Sequence, residues 1–273
     1  MKDLLIGAFT DYDLRTIKPW VDSAEETITK DVDKVLIVGR TTQETIDYLR
    51  ERNWQLVSMS EGQPHVIRFL DIYNYLRMNP SYGYVVTTDV RDVVFQSNPF
   101  NQLREDLGTF GSGEEIICGS ECLRYCDEPW GNQNLLETYG EYVWNIYKHE
   151  TIYNVGVLGG TAEFIKDLVF NIVINAVNRP IPICDQAVFN MLINTQPYKD
   201  VVFKADMTNA WACHAGTVAD PSKMSQFRPN LLEPEPVWKD GKVYTWNDAL
   251  ITILHQYDRV PEWKKTIEAR YNV

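Results

Sequence analysis

Apolar runs alternate with helix-like stretches along most of this chain, and that alternation limits the folds it can adopt. Residues 4–9, 35–38, 54–58 and 84–88 are typical of buried strands, and residues 41–52 and 64–78 carry apolar side chains at helical spacing. Strands that alternate with helices form a mostly parallel sheet flanked by helices. The first hundred residues therefore predict an α/β fold with a Rossmann-like central sheet.

The rest of the chain continues this pattern with less regular spacing. It predicts strands at 116–118, 155–158 and 252–255, and helices at 132–147, 162–177, 185–193 and 261–271. Residues 206–241 are rich in proline, tryptophan and polar side chains and lack periodicity, which predicts a functional loop or lid. Because 44% of the 273 residues are hydrophobic, the chain has enough apolar side chains to form one large core. We therefore expect a single domain over residues 1–273.

The charge balance restricts the partners of the protein. Its net charge is -12 at pH 7, so binding to nucleic acid or to an anionic membrane surface is not expected. An acidic chain that binds a nucleotide needs local compensation by a metal ion or by a few arginines. No run approaches the roughly 18 apolar residues of a transmembrane helix, so none is predicted.

Targeting signals and cysteines indicate the compartment. The apolar run at residues 4–9 is too short for a signal peptide. The five cysteines are odd in number and do not fit a disulfide framework. Cys118, Cys122 and Cys126 are four residues apart, but zinc is disfavoured because no histidine lies nearby and no CxxC pair is present. These features predict a cytoplasmic protein.

Two acids stand where the apolar run 84–88 ends. Asp89 and Asp92 are three residues apart, and a second apolar run follows them. In an open α/β sheet, ligands bind beyond the carboxyl ends of the strands, and two carboxylates there can hold a divalent cation against a phosphorylated substrate. The alternative is a turn stabilised by its acids, or an acid paired with Arg91.

His255 ends the predicted strand at 252–255. A lone histidine after an apolar run is more often structural than a ligand. The metal interpretation gains weight if the sheet brings His255 close to Asp89, because imidazole is a good ligand for manganese.

Residues 154–161 place three glycines between a strand and a helix. The segment Asn154-Val155-Gly156 is followed by Gly159-Gly160, a spacing that does not match the dinucleotide fingerprint GxGxxG. The glycines could let a backbone approach a ligand closely. The alternative is a tight turn with Thr161 as the N-cap of the next helix.

Several other polar or aromatic side chains have two interpretations each. Asp185 could cap its helix, or could join Gln186 in a sugar pocket that stabilises a positive anomeric carbon. Arg68 could be a solvated charge on a helix, or could reach a phosphate. Trp130, Asn134 and Tyr139 could form a stacking platform for a sugar, or could simply pack.

Taken in order, these segments resemble those of the GT-A nucleotide-sugar glycosyltransferases, over about residues 4–259. The chain is most similar to glycogenin-like family-eight enzymes and to the glycosyltransferase domain of lysyl hydroxylases. The matching segments are Gly7-Ala8-Phe9-Thr10-Asp11-Tyr12, Thr88-Asp89-Val90-Arg91-Asp92, Asn154-Val155-Gly156 with Gly159-Gly160, Asp185-Gln186, and His255. The acids have the Asp-x-x-Asp spacing of the lysyl hydroxylase group rather than the commoner Asp-x-Asp.

The resemblance implies a metal-dependent glycosyltransferase that moves a sugar from a nucleoside diphosphate, expected to be UDP, to a hydroxyl of a glycan or other acceptor. It implies metal ligands for Mn²⁺ or Mg²⁺ at Asp89, Asp92 and His255. The Asp-Gln pair favours retention of anomeric configuration; if the enzyme instead inverts, a carboxylate such as Asp185 would have to deprotonate the acceptor. Donor contacts would come from Thr10, Asp11, Tyr12, Arg68, Asp89, Asn154, Gly156, Gly159 and Gly160, with Asp185 and Gln186 as catalytic residues.

By the same resemblance, residues 1–100 would form the nucleotide-binding half and residues 101–273 the half for donor sugar and acceptor. Residues 206–241, with Trp211, His214 and Trp238, are the candidate for a lid or an acceptor surface. Two other classes stay open. A sugar-nucleotide nucleotidyltransferase would need a Gly-rich basic loop after the first strand, which the segment Gly7-Ala8-Phe9-Thr10-Asp11 lacks. A non-catalytic carbohydrate-binding protein would use the aromatic platforms alone.

Overall fold

The computed structural model of this chain describes residues 1–108 and 113–273. In those residues the strands are β1 (Lys2–Phe9), β2 (Asp33–Val38), β3 (Gln55–Ser58), β4 (Tyr82–Thr88), β5 (Val93–Phe95), β6 (Ile116–Arg124), β7 (Thr151–Thr161), β8 (Val202–Ala205), β9 (Ala212–His214), β10 (Val237–Lys239), β11 (Lys242–Tyr244) and β12 (Ile253–His255). The helices are α1 (Leu14–Thr27), α2 (Gln43–Glu51), α3 (Pro64–Met78), α4 (Pro99–Asp106), α5 (Pro129–Tyr147), α6 (Ala162–Ala176), α7 (Asp185–Ile193), α8 (Ala215–Val218), α9 (Met224–Phe227) and α10 (Pro261–Arg270).

A seven-stranded sheet runs through the centre of the molecule in the order β3-β2-β1-β4-β7-β6-β8. Its strands are parallel except β7, which is antiparallel to both of its neighbours, β4 and β6. The prediction of an α/β fold with a mostly parallel central sheet flanked by helices is confirmed.

Side chains on successive residues of a strand point to opposite faces, and each face of the sheet buries its own core. On β1, Leu4 and Ile6 pack with α3, α6 and α7, through residues that include Phe69 and Leu168. Leu5 faces the other way and packs with α1, α2 and α4 through residues that include Trp20, Leu49 and Leu103. Helices on both faces leave the carboxyl ends of the parallel strands as the open edge.

A second sheet of three strands, in the order β5-β12-β9, lies beyond that edge. β12 pairs antiparallel with β5 and parallel with β9, and the register places His255 opposite Val93 and beside His214. Because β5 starts directly after Asp92, this pairing carries the last strand of the chain to the end of β4.

The structure corrects several sequence-based assignments. No element was predicted at α1, which has Pro19 inside it. The strand expected at 116–118 extends to Arg124, and residues 159–161 continue β7 instead of forming a turn. The predicted helix at 132–147 starts at Pro129 and is kinked at Gly140, where φ is 80°. By contrast, α3 and α7 have the predicted bounds.

The segment expected to be a loop or lid is partly core. Trp211 and His214 are completely buried, and Trp238 stacks on Trp263 with ring centroids 5.2 Å apart. Residues 207–218 include a short strand and a short helix packed in the interior. An acceptor surface formed by Trp211 and His214 is therefore wrong, and the lid hypothesis is restricted to residues 219–241, where it stays a prediction.

Candidate active site

The end of β4 and the first part of β7 meet at the carboxyl edge of the central sheet. Because β7 runs antiparallel, its early residues come to the edge where β4 ends, and Thr88 pairs with Val157. The Asp89 backbone N–H donates to the Gly156 carbonyl at 2.7 Å. Asp89 and the Asn-x-Gly segment are thus joined through the sheet itself rather than through mobile loops.

Asp89, Asp92 and His255, called here the metal-ligand group, lie close enough together that they could hold a metal ion. His255 Nε2 lies 3.5 Å from Asp89 Oδ2 and 3.5 Å from Asp92 Oδ1. All three ligand atoms lie within 4.8 Å of one another. Among residues 1–108 and 113–273, no other cluster of three or more His, Cys, Asp or Glu side chains has this spacing. The Gln256 N–H donates to the Asp92 carbonyl at 2.7 Å, which fixes the two segments together.

Each acid of this group offers one oxygen to the site and gives the other to an arginine. Asp92 Oδ2 accepts from Arg91 at 2.8 Å, and Asp89 Oδ1 accepts from Arg68. The oxygens that remain, Asp89 Oδ2 and Asp92 Oδ1, both face His255 Nε2. Two carboxylate oxygens with one imidazole nitrogen form a donor set that suits Mn²⁺, and the residues therefore fit a divalent cation.

The charges of the group are coupled. Burial lowers the pKa of His255, but hydrogen bonds to Asp89 and Asp92 raise it to about 9. Burial opposes ionisation of Asp89, yet the Arg68 charge and His255 hold the pKa of Asp89 below its usual range. A pKa this high favours the cationic imidazole between two carboxylates at neutral pH, and a metal ion at Nε2 would have to replace its proton.

Arg68 links the metal-ligand group to the predicted catalytic pair. Its guanidinium contacts Asp89 and donates to Asp185 Oδ2 at 3.0 Å. Its side chain is only 15% exposed, and the Asp185 side chain only 6%. The Arg68 guanidinium therefore bridges two predicted site residues, Asp89 and Asp185, which are 96 positions apart in the sequence.

A buried acid that the sequence analysis missed organises the amides nearby. Glu121 Oε1 accepts from Asn154 Nδ2 at 2.6 Å and from Gln186 Nε2 at 3.1 Å. Asn154 Oδ1 accepts in turn from the Gly156 N–H at 2.7 Å. Burial raises the pKa of Glu121, and the Glu128 charge adds to that effect. Glu121 escaped notice because its strand was expected to end at Cys118.

The cleft has two compartments that share Arg68, Asp89 and His255 in their common wall. The first compartment encloses about 220 Å³, and its other lining residues include Phe9, Thr10, Tyr12, Met59, Arg91 and Asp92. The second compartment encloses about 380 Å³, and its other lining residues include Glu121, Glu128, Trp130, Asn154, Gly156, Asp185, Gln186 and Lys223. His65 and Arg259 line both and also escaped the sequence analysis.

Three predicted donor contacts lie away from these linings. Asp11 has a left-handed backbone with φ of 62°, and Arg40 Nε donates to its carboxylate at 2.8 Å. Gly159 and Gly160 lie inside β7, where an added Cβ on Gly159 would be 2.8 Å from Leu103. The sheet thus explains these glycines by packing, and the structure does not bring them to the cleft.

The predicted aromatic platform is divided. Trp130 is 52% exposed and lines the second compartment. Asn134 is buried and donates to the Ile183 carbonyl at 2.6 Å, while the Tyr139 ring packs under the Arg179 guanidinium. Only Trp130 of the three therefore reaches the cleft.

Comparison with known proteins identifies a similar fold but does not assign the chain to a family. No protein-family model and no curated protein matches the sequence. Among solved structures, the apo structure of the bifunctional glycosyltransferase WbbM is similar, with a TM-score of 0.60 and 13% sequence identity. The match covers 99% of this chain and 51% of that chain, so this chain spans about half the length of its structural neighbour. The chain has a glycosyltransferase-like fold.

None of the helices in the described part of the chain combines the length and apolar character needed to cross a bilayer.

Proposed function

We propose that this protein is a metal-dependent glycosyltransferase that transfers a sugar from a nucleoside diphosphate, UDP by preference, to an acceptor hydroxyl. The observation that carries the proposal is the convergence of Asp89, Asp92 and His255 on one point between two compartments. A donor of this class has two parts, a nucleotide and a sugar, joined by a diphosphate. The geometry offers one compartment for each part and cation ligands at the junction.

The first compartment would take the nucleotide. Thr10 and Tyr12 line it, and Tyr12 can stack on a base, while Asp11 positions their loop through Arg40. Arg91 and Arg259 supply positive charge in an otherwise acidic protein, which would favour the diphosphate. A divalent cation such as Mn²⁺ or Mg²⁺, held by Asp89, Asp92 and His255, would offset the negative charge that develops on the departing diphosphate.

The second compartment would take the donor sugar. Asn154 and Gln186 are fixed by Glu121, and Asp185 is fixed by Arg68. Because an N–H of the Gln186 amide is committed to Glu121, its oxygen can face an electron-poor anomeric carbon. Asp185 and the Gln186 oxygen would stabilise positive charge at that carbon, in keeping with the retaining outcome that the resemblance implies.

The acceptor would enter at the outer end of the second compartment. Trp130 is exposed there, and an indole face is a good surface for the apolar face of a sugar ring. Lys223 lies on the opposite segment, within residues 219–241, and lines the same compartment. These two residues are the proposed acceptor contacts.

A donor screen with free UDP as the readout tests this function. The protein is incubated with a panel of UDP-sugars and Mn²⁺, and slow hydrolysis that releases UDP is the expected result. Pyrophosphate-dependent chemistry would support a nucleotidyltransferase instead. Saturable sugar binding at Trp130 without any turnover would support a carbohydrate-binding protein.

Substitution of Asp92 tests the metal site separately. Asp92→Asn removes one ligand charge from a position that is 4% exposed and keeps the side-chain shape. We expect Mn²⁺-dependent UDP binding, measured by calorimetry, to be lost with little change in melting temperature. Asp167→Asn on the exposed face of α6 is the matched control and should bind as wild type does. Unchanged UDP affinity in the Asp92 variant would refute the metal site.

A further inference from the structure

A second histidine lies directly behind the metal-ligand group. His214 is on β9, and the register of β9 with β12 places it beside His255. The two Nδ1 atoms are 3.0 Å apart, and the rings meet nearly at right angles. Both side chains are buried, His214 completely. The sequence analysis had assigned His214 to an acceptor surface, which its burial excludes.

The contact between the two Nδ1 atoms determines where the protons are. One of the two nitrogens must donate and the other must accept. A neutral imidazole that offers its Nε2 lone pair to a cation carries its proton on Nδ1. If His255 binds the cation through Nε2, its Nδ1–H is therefore the donor, and His214 Nδ1 is the acceptor.

Because His214 Nδ1 accepts, a neutral His214 carries its proton on its own Nε2. That atom lies against the Gly119 backbone, and an added Cβ on Gly119 would be 2.8 Å from it. His214 Nε2 meets no strict hydrogen-bond geometry among the described residues, and the Gly119 backbone is the polar group beside it.

We propose that His214 is a positioning residue, which accepts the Nδ1 proton of His255 and thereby presents the Nε2 lone pair of His255 to the cation. The inference rests on the proposed metal site. His214 itself is not a ligand, because one of its nitrogens faces His255 and the other faces Gly119. Partners of this kind hold the ring and the tautomer of a ligating histidine in many metal sites.

Two substitutions of His214, to Asn and to Leu, separate the hydrogen bond from simple packing, because the Asn and Leu side chains have nearly the same shape as each other. In His214→Asn, the Oδ1 atom is bonded to Cγ as Nδ1 is, so the variant keeps an acceptor for His255. In His214→Leu, a methyl group takes that position. We expect the Leu variant to bind Mn²⁺ roughly 10- to 100-fold more weakly than wild type, and the Asn variant to remain close to wild type.

The measurement is a titration of the whole protein with Mn²⁺ alone, followed by electron paramagnetic resonance. The nitrogen coupling of the bound ion reports the imidazole ligand directly. It should persist in the Asn variant and weaken in the Leu variant. Equal affinity of the Leu variant and wild type would overturn the proposal, and so would equal losses in both variants.

A second measurement on the wild-type protein covers the case in which a variant does not fold. The chain has only four histidines, so nitrogen NMR of histidine-labelled protein can assign each ring. We expect the His214 proton on Nε2, and the His255 proton on Nδ1 when diamagnetic Mg²⁺ is bound. A proton on His214 Nδ1 would overturn the proposal.

Different results would contradict the metal site and the role of His214. If wild type binds no Mn²⁺, the proposed function loses its metal, and the role assigned to His214 is lost with it. If wild type binds Mn²⁺ and the Leu variant binds equally well, the metal site stands and only the role of His214 is wrong.

Discussion

The two compartments of the cleft are built from different kinds of residues. The lining of the first includes Thr10 and Tyr12, which follow β1, and the cation Arg91 after β4. The second is lined mainly from the later part of the chain, and its polar groups include the carboxylate of Glu121 and the amides of Asn154 and Gln186. Arg91 and the Tyr12 ring suit a nucleotide in the first compartment, while the additional acids and amides of the second suit sugar hydroxyls.

The single antiparallel strand of the central sheet makes this division possible. In a fully parallel sheet, only the loops that follow the strands would supply residues to the carboxyl edge. Because β7 runs the other way, Asn154 and Gly156 come to the same edge from within a strand. The residues shared by the two compartments include Arg68, Asp89 and His255, which lie at the junction. Substitutions there should affect both compartments, and substitutions elsewhere should affect one.

Gly156→Ala, next to the junction, is expected to have the largest combined effect, because it should disturb both compartments. An added Cβ would lie 2.6 Å from Asp89 Oδ2, 2.8 Å from Asn154 Oδ1 and 2.9 Å from His255 Cε1. Contacts this short must displace a metal ligand and a donor contact together. We expect Mn²⁺-dependent UDP affinity and UDP-sugar hydrolysis both to fall, each by roughly 10- to 100-fold.

Gly159→Ala, on the same strand, is the matched control. Its Cβ would contact Leu103 and Trp211 in the core instead of the cleft. Overpacking of this kind costs about 1–3 kcal/mol of unfolding free energy, measurable by urea denaturation, and should leave UDP affinity unchanged. If Gly159→Ala weakened UDP binding as much as Gly156→Ala, the division of β7 into a site part and a core part would be wrong.

The sequence could predict this junction but not the walls around it. Asp89, Asp92 and His255 were recognisable because each follows an apolar strand, and strands that end at one edge bring their next residues together. α3 and α7 were predictable because their apolar periodicity is uninterrupted. The helix signals are local and depend on hydrophobic spacing, whereas the assignment of Asp89, Asp92 and His255 to a metal also depended on the family resemblance.

The errors arise where long-range packing decides the structure. Gly159-Gly160 looks like a turn, but it is the part of β7 that Trp211 and the Glu115 backbone approach closely. α1 has a proline inside it, yet one face of it packs against the sheet through Trp20 and Val21. Glu121 was missed because a single acid within a buried strand has no periodic signal. Its partners, Asn154 and Gln186, are 33 and 65 residues away.

Asp185→Asn should affect the second compartment alone. The substitution removes the charge that would stabilise the anomeric carbon, while Arg68 keeps its contact with Asp89. We expect kcat for donor hydrolysis to fall by roughly 100-fold, the usual size of a lost electrostatic contact to a transition state. UDP affinity in the presence of Mn²⁺, measured by calorimetry, should stay near the wild-type value. A parallel loss of UDP affinity would show that Asp185 acts through the metal-ligand group.

Tyr12→Ala should affect the first compartment alone and have the smallest effect. Stacking of a base on an aromatic side chain contributes at least about 1 kcal/mol, which corresponds to roughly fivefold or more in the dissociation constant of UDP. Because Tyr12 lines only the first compartment, KM for the donor should rise while kcat at saturation stays unchanged. Tyr12→Phe keeps the ring and is the control, with wild-type values expected for both constants. If Tyr12→Ala lowered kcat without raising KM, the assignment of the first compartment to the nucleotide would fail.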